Sequence, residues 1–524
     1  MFLCAAYVLA ILPVVVSQPY SIDDYGAVSG VDTHAQAVVN GQAFTAAIVA
    51  ANASATRRSV LVPAGKVYSF LPSTPFHDSL TDVSIYVEGT LNVSTANFWE
   101  PGVYPGYPNS PWNPLGFSNC VGLRLVSTTG KGLLNGRGNL WWWYTILVAD
   151  HRANLLEVDT CTNFELAGVT LLNSASWHMF LSGQTNATVR GVTVLVDIED
   201  QLQAYRYIGG ASASATLPQV LLAAERIGPT SAAEAAVWAA AGGSPLAARQ
   251  AAGDPGLLAA RAAALPPLVR AQPWYNAGWD ITPPVPMVWA LNTDGIDFSG
   301  QGITVSNCSI TNFDDSVCVK PSVSADGSAA GCTSGVDISD IRVTYGVGVS
   351  MGSVPPDATL NCIDGVAARR LHFESPLKAM YIKPNPRKSD PGGDFGRIAN
   401  VLYEDVEVRD ALWWAIWVGT QQQHQPGGGG TDCPFIFPLL NSTCPSDPQV
   451  TLANITLRRV NIYGGVFSPG VIMANQSNPG TGFVWDAVVA HNASTFPETG
   501  YLVRNIKGTA MGGTSPVPPG FVQG

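Results

Sequence analysis

The chain has 524 residues, 38 of them acidic and 27 basic, for a net charge of −11. Charged residues make up only 12%, about half the usual share for a soluble domain, so Ser, Thr, Asn and Gly must cover much of the surface. A hydrophobic fraction of 46% excludes wholesale disorder, and the absence of a basic field argues against a nucleic-acid partner.

Met1 to Ser17 (MFLCAAYVLAILPVVVS) is an apolar run with small Val15 and Ser17 placed for signal-peptidase cleavage. It is short for a membrane span, and the expectation is a signal peptide over 1–17, with a signal anchor as the other reading. Residues 18–524 are then a single secreted, extracellular domain of the cell wall, with no membrane contact after cleavage and a monomeric state. Eight N-x-S/T sequons begin at Asn52, Asn92, Asn186, Asn307, Asn441, Asn454, Asn475 and Asn492, and with the leader they favour glycosylation. Of nine cysteines, Cys4 leaves with the leader. The remaining even number suits disulfides, with Cys318–Cys332 and Cys433–Cys444 the expected local pairs. No His or Cys spacing matches a metal site, so neither a metal nor a cofactor is expected.

From Asn163 onward the chain repeats one theme. NFELAGVTLLNS begins at Asn163, NATVRGVTVLV at Asn186 and GITVSNCSITNF at Gly302. GVDISDIRVTYG follows at Gly335, RIANVLYEDVEV at Arg397 and ANITLRRVNIYG at Ala453. Each is a pair of alternating apolar and polar strands broken at a small or polar corner residue. Repeats of this kind with no helices between them predict an all-β solenoid whose coils stack parallel strands, a parallel β-helix. A β-sandwich with irregular loops is the alternative, and the recurrence of Asn, Thr and Val at corners favours the β-helix. Residues 200–275 break the theme with AAEAAVWAAA and GLLAARAAALPPL. Their Ala and Leu content predicts short helices in an insertion, either a lid or a neutral bulge. A second loop, Gly427 to Cys444, opens with four glycines.

Candidate chemistry concentrates in four consecutive coils: LNTDGIDFSG (Asn292, Asp294, Asp297), TNFDDSVCVKP (Asp314, Asp315, Lys320), YGVGVSMGS from Tyr345, and KAMYIKPNP (Lys378, Tyr381, Lys383). Asp294 and Asp314 are 20 residues apart, one short coil, which sets their backbones on neighbouring rungs ~5 Å apart. Carboxylates crowded in this way cannot all ionise, so one holds a proton. A protonated acid beside an ionised base is the equipment of glycosidic hydrolysis. A calcium site is the competing reading, although calcium asks for more oxygen ligands than one rung supplies.

In their order, NTDGID, DDSVCVK, GVGVSMGS and YIK resemble the polygalacturonases of glycoside hydrolase family 28. SIDDYGAV from Ser21, GLLNGRGNLWWW from Gly132 and NSASWHM from Asn173 extend the resemblance over about residues 20–470, the insertion excepted. It implies a right-handed parallel β-helix that hydrolyses α-linked galacturonosyl bonds of pectin with inversion, its partner being a polysaccharide such as pectin or a related polyuronide. By position it implies Asp314 as the general acid, Asp294 and Asp315 as the carboxylates that activate water, and Asn292 as their orienting neighbour. Lys383 would bind a substrate carboxylate, with Tyr381 and His178 as further substrate contacts. Two departures stand out. Gly346-Val347-Gly348 replaces the family's Gly-His-Gly, and Tyr381-Ile382-Lys383 replaces its Arg-Ile-Lys. Arg370, Arg387 or Lys388 are nearby cations that could stand in. Met380-Tyr381 is similar to rhamnogalacturonan hydrolases, which keeps that substrate open. Trp177 and the row Trp413, Trp414 and Trp417 are either sugar-stacking faces or core stacks. A lyase and a catalytically weakened wall-binding protein are the other functions in view.

Overall fold

In the computed structural model the described residues are 18–96, 104–106, 111–139, 141–142, 152–197, 290, 292–385, 395–423, 433, 437–438, 443–465, 468–491 and 500–524. The expected signal peptide (1–17), the Ala-rich insertion (200–275), the four-glycine run, Arg387 and Lys388 lie outside them.

After the short strand Tyr20–Ser21 comes a helix that the alternating pattern did not announce, α1 (His34–Ala53). Thr33 caps it, its Oγ1 accepting the Gln36 N–H. Small residues Ala37, Ala43, Ala47 and Ala51, with Phe44 and Ile48, form its buried face. That face closes the first end of the solenoid over the strands Ser59–Val62 and Val67–Phe70, so the first coil does not expose an open edge.

Beyond the helix the strands stack in parallel. One sheet runs through Leu156–Asp159, Met179–Thr185, Ile296–Gln301, Val317–Val319, Val349–Val354, Lys378–Pro384, Trp414–Val418 and Gly470–Met473, each paired with the next. A second runs through Thr304–Asn312, Thr333–Tyr345, Leu360–Glu374, Gly396–Arg409, Val450–Tyr463 and Gly480–His491. Inward Val, Ile, Leu and Phe from every coil form one continuous buried core. The architecture is the parallel β-helix expected from the repeats. Because Ile296–Gln301 pairs directly with Met179–Thr185, the coils on either side of residues 198–289 are adjacent.

Left-handed backbone turns the coils at aligned corners. Gly168, Gly191, Asn307, Asp340, Arg370, Asp405, Arg459, Ala487 and Gly512 form one column with φ between +50° and +66°. Asn163, Asn186, Gly302, Gly335, Gly365, Asn400, Asn454 and Gly482 form another. Gly, Asn and Asp tolerate this region best, which is why they recur in the sequence. Asn186 Nδ2 donates to Asn163 Oδ1 (2.6 Å) and Asn454 Nδ2 to Asn400 Oδ1 (2.9 Å) across the second column. In the first, Arg370 pairs with Asp340 and Arg459 with Asp405, exposed pairs that add little to stability. Arg370 is therefore an outer corner residue and does not reach the site.

The disulfides correct one expected pair. Cys433–Cys444 forms, but Cys332 bonds Cys362, not Cys318. The segment Ser322–Ser324 runs antiparallel to Leu360–Cys362 and carries Cys332 to that strand. Cys318 instead lies in the strand Val317–Val319, with its Sγ donating to Gly352 O (2.9 Å).

Candidate active site

The register of the first sheet sets the site. On its outer face Glu157, Phe180, Asp297, Cys318, Ser350, Tyr381 and Trp417 follow one another on successive coils. Three residues earlier on consecutive coils stand Asp294, Asp315, Val347, Lys378 and Trp414. Of these, Lys378 and Trp414 are themselves paired. Parallel rungs are ~4.8 Å apart, so strand stacking alone brings together residues far separated in sequence.

The turns that carry the carboxylates are locked from beneath. Asn312, fully buried, directs Nδ2 at the carbonyls of Thr293 (3.1 Å), Asp314 (3.0 Å) and Asp315 (2.9 Å). Its Oδ1 accepts from Ser316 Oγ (2.8 Å). Thr293 Oγ1 donates to Ala290 O and accepts the Phe313 N–H. Gly346 and Gly348 (φ +60° and +57°) bring the next turn close, and the Val347 N–H donates to Asp314 O (2.7 Å). Gly-Val-Gly thus keeps the backbone turn even though it carries no histidine.

His178 was expected to touch substrate and does not. It is fully buried, and the Asp294 carbonyl accepts both its backbone N–H (2.8 Å) and its Nδ1–H (3.0 Å). Nε2 accepts the Ser174 N–H (3.2 Å), which assigns the proton to Nδ1. Burial holds the ring down to about 4, so it is neutral and fixes the Asp294 backbone.

Asp294, Asp314 and Asp315 come together as expected, each 8% exposed or less, with carboxylate oxygens within 4.8 Å of one another. Asn292 Nδ2 donates to Asp314 Oδ2 (3.1 Å), and Arg152 Nη2 steadies Asn292 Oδ1 (3.0 Å). Asp314 Oδ1 accepts the Asp315 N–H (3.0 Å). Asp315 receives Ser350 Oγ on Oδ1 (2.7 Å) and Lys383 Nζ on Oδ2. Lys320 Nζ sits 2.9 Å from Asp297 Oδ2 and 3.7 Å from Asp315 Oδ2.

Electrostatics then separates the three. Burial would raise Asp315, but the Lys383 and Lys320 ammoniums outweigh it and hold the carboxyl down at about 2. Burial, followed by the charge of Asp315, raises Asp314. Burial and the neighbouring Asp314 raise Asp294 well above its ordinary value. One carboxylate is ionised beside two that favour the proton, the division that acid–base chemistry requires. The trio could also offer oxygens to a cation. Both oxygens of Asp315 are already engaged by Ser350 and Lys383, however, and calcium asks for 6–8 oxygen ligands.

The aromatic row divides differently. Trp413, Trp414 and Trp417 are buried with Phe437 and the Cys433–Cys444 bridge, a core stack and not sugar platforms. Trp177 is half-buried, with Lys320 Nζ 4.9 Å from its ring centroid. Tyr381 is 3% exposed. Lys378 Nζ lies 4.1 Å and Lys383 Nζ 5.0 Å from its ring centroid, and its hydroxyl has no hydrogen-bond partner among the described residues. Asn312, Ser350 and Arg152 were missed by sequence reasoning. Ser350 stands four residues after Gly346, but only the register shows that it faces Asp315.

The family model for glycosyl hydrolases family 28 matches residues 53–203 and 281–435. The chain belongs to that family. Among relatives of this family 28 chain, the Probable endo-xylogalacturonan hydrolase A of Aspergillus fumigatus is 31% identical over 119 residues, 22% of this chain and 26% of the relative. Exopolygalacturonase A of Aspergillus niger is 32% identical over 73 residues, 13% of this chain and 16% of the relative. These matches span about a quarter or less of the curated relatives' length. Over whole chains, the crystal structure of endo-xylogalacturonan hydrolase from Aspergillus tubingensis aligns with a TM-score of 0.55 at 17% identity, covering 95% of this chain and 97% of that one. A hyperthermoactive exopolygalacturonase from Thermotoga maritima aligns at 0.53 and 13% identity, covering 93% and 90%. At those identities the likeness is one of fold.

Proposed function

We propose that this family 28 chain is an exported glycosidase that hydrolyses α-linked galacturonosyl bonds of a pectin-type polysaccharide by single displacement. The observation that carries the reading is the trio Asp294, Asp314 and Asp315, buried with carboxylate oxygens within 4.8 Å of one another, in surroundings that raise Asp294 and Asp314 and lower Asp315. Asp314, raised by burial and Asp315, gives its proton to the leaving oxygen. Asp315, held ionised by Lys383 and Lys320, draws a proton from the attacking water, which Asp294 helps to place. Asn292 orients Asp314. Lys383 has three N–H donors; one holds Asp315, and the others are available to a substrate carboxylate. Lys320, Lys378 and Lys383 together make a locally cationic floor in an acidic protein, which favours an anionic sugar. Relatives named for galacturonan backbones agree with that choice.

Double displacement is the second reading, because inverting enzymes usually keep their carboxyls ~6.5–9.5 Å apart and retaining ones ~5–5.5 Å. Asp315 is the ionised group such a mechanism would use as nucleophile. Ser350 and Lys383 already occupy its two oxygens, which blunts it for attack on carbon and favours the water route. The test is proton NMR of the products in the first minutes of polygalacturonan cleavage. An initial β-anomer supports single displacement, and an initial α-anomer refutes it. Export follows from the leader and is tested by N-terminal sequencing of culture-supernatant protein; no helix among the described residues is long and apolar enough to cross a membrane. A monomer is expected and is checked by light scattering.

A further inference from the structure

Three lysines converge on the site, and two of them are committed. Lys383 is bonded to Asp315, and Lys320 is paired with Asp297. Lys378 is 8% exposed and has no carboxylate partner among the described residues. Its ammonium instead lies between two aromatic faces, 4.1 Å from the Tyr381 centroid and 4.4 Å from that of Trp417, and donates to Gln423 Oε1 (2.7 Å). A buried cation without a counter-ion is costly, and the aromatic faces offset only part of that cost. The cage holds an ammonium that the rest of the site leaves without a counter-ion.

Position adds a second, independent argument. Lys378 occupies the same place in its coil that Asp315 occupies in another, two rungs along the sheet, with Val347 on the coil between. Val347 offers no polar atom from its side chain. Beside Lys378, the buried Tyr381 hydroxyl is a donor with no partner among the described residues. An ammonium without a counter-ion next to an unmatched hydroxyl donor is complementary to a carboxylate, which takes both kinds of hydrogen bond.

We propose that Lys378, caged by Tyr381 and Trp417, is the specificity-determining cation that takes the carboxylate of a uronic acid unit flanking the reacting bond. The proposal deepens the hydrolase reading and rests on it for the identity of the sugar. It makes Tyr381 a shaped wall that places a cation from its own strand instead of supplying one. Burial and the nearby Lys383 ammonium lower Lys378 to about 7, against the smaller opposing pull of Asp315 and Asp314. An arriving carboxylate would restore its proton affinity.

The test separates this claim from catalysis by measuring binding to protein inactivated at Asp314. Calorimetry compares Asp314→Asn with Asp314→Asn/Lys378→Met, using tetragalacturonate and the same oligomer with its carboxyls reduced to alcohols. We expect Lys378→Met to weaken the acidic oligomer about tenfold or more, one charge-assisted hydrogen bond being worth ~1.4 kcal/mol or more. The reduced oligomer should bind both proteins equally, and Lys378→Arg should keep most of the acidic affinity. Equal affinity of both proteins for tetragalacturonate overturns the proposal. So does an equal loss for both oligomers, which would mark Lys378 as structural, and so does a lack of measurable tetragalacturonate binding to the Lys378-containing protein. Reducing-end release by wild type tests the hydrolase reading on its own, whichever way the binding falls.

Discussion

Gly346 packs directly against the side chain of Asn312, and a Cβ at Gly346 would overlap both Asn312 Oδ1 and Ser316 Oγ. Asn312 holds the carbonyls of Asp314 and Asp315 from the other side, so the glycine and the turn that carries the two carboxylates are parts of one packed unit. Gly346→Ala should cost about 2 kcal/mol or more, from the left-handed backbone and the displaced amide together. Gly65→Ala, also at positive φ (+72°) but facing open space, should pay for the backbone alone. Thermal unfolding of the two variants makes the comparison, and equal losses would show that the contact with Asn312 carries no weight.

Replacing Asp314, the proposed proton donor, should stop the chemistry without unfolding the protein. Asp314→Asn keeps the side chain's shape and one acceptor oxygen, for the Asp315 N–H, while removing the acid and the oxygen that accepts from Asn292 Nδ2. We expect kcat on polygalacturonan to fall about 10²–10⁴-fold with KM within a few-fold of wild type. Full activity in this variant would remove Asp314 from the mechanism.

The buried Asp294 links stability to pH. Its folded-state pKa is raised above the ordinary 3.8, so its favourable contribution is fully present below that value. It is lost as pH rises through the folded pKa. Asp294→Asn removes the titration, so its melting temperature relative to wild type should climb between pH 4 and pH 8, ending at least ~2 °C above it. Using the difference between the two proteins cancels the opposite trend of His77 and His178, which burial holds down at about 4. A difference that stays constant with pH would mean Asp294 is not perturbed.

Metal dependence separates hydrolysis from elimination. Activity should survive chelation with EDTA and gain nothing from added calcium, and the products should be saturated sugars. Unsaturated product absorbing in the ultraviolet, or loss of activity on chelation that calcium restores, would assign the trio to cation binding.

The solenoid and its carboxylates were legible in the sequence because both depend on local pattern. Alternation marks the strands, corner Asn and Gly mark the turns, and 20 residues between Asp294 and Asp314 make one coil. Helix α1 was not legible: its buried side is largely small residues, four alanines and a glycine among eight, which gives little contrast between one face and the other. Nor were His178 and the tryptophan row, because their side chains suit a sugar or a core equally and only burial decides. The Cys318–Cys332 expectation failed for a related reason. Sequence proximity said nothing of the antiparallel segment that takes Cys332 to Cys362.

The left-handed corners also change how part of the sequence should be understood. An asparagine that tolerates the bend, followed two residues later by a hydroxyl-bearing β-former that restarts the strand, spells the acceptor triplet for N-linked glycan. Asn186-Ala-Thr, Asn307-Cys-Ser and Asn454-Ile-Thr all arise at such bends. Asn186 and Asn454 have already given their amide nitrogens to the neighbouring coil. In a stacked fold of this kind, the number of such triplets measures how often the chain turns as much as how heavily it is decorated.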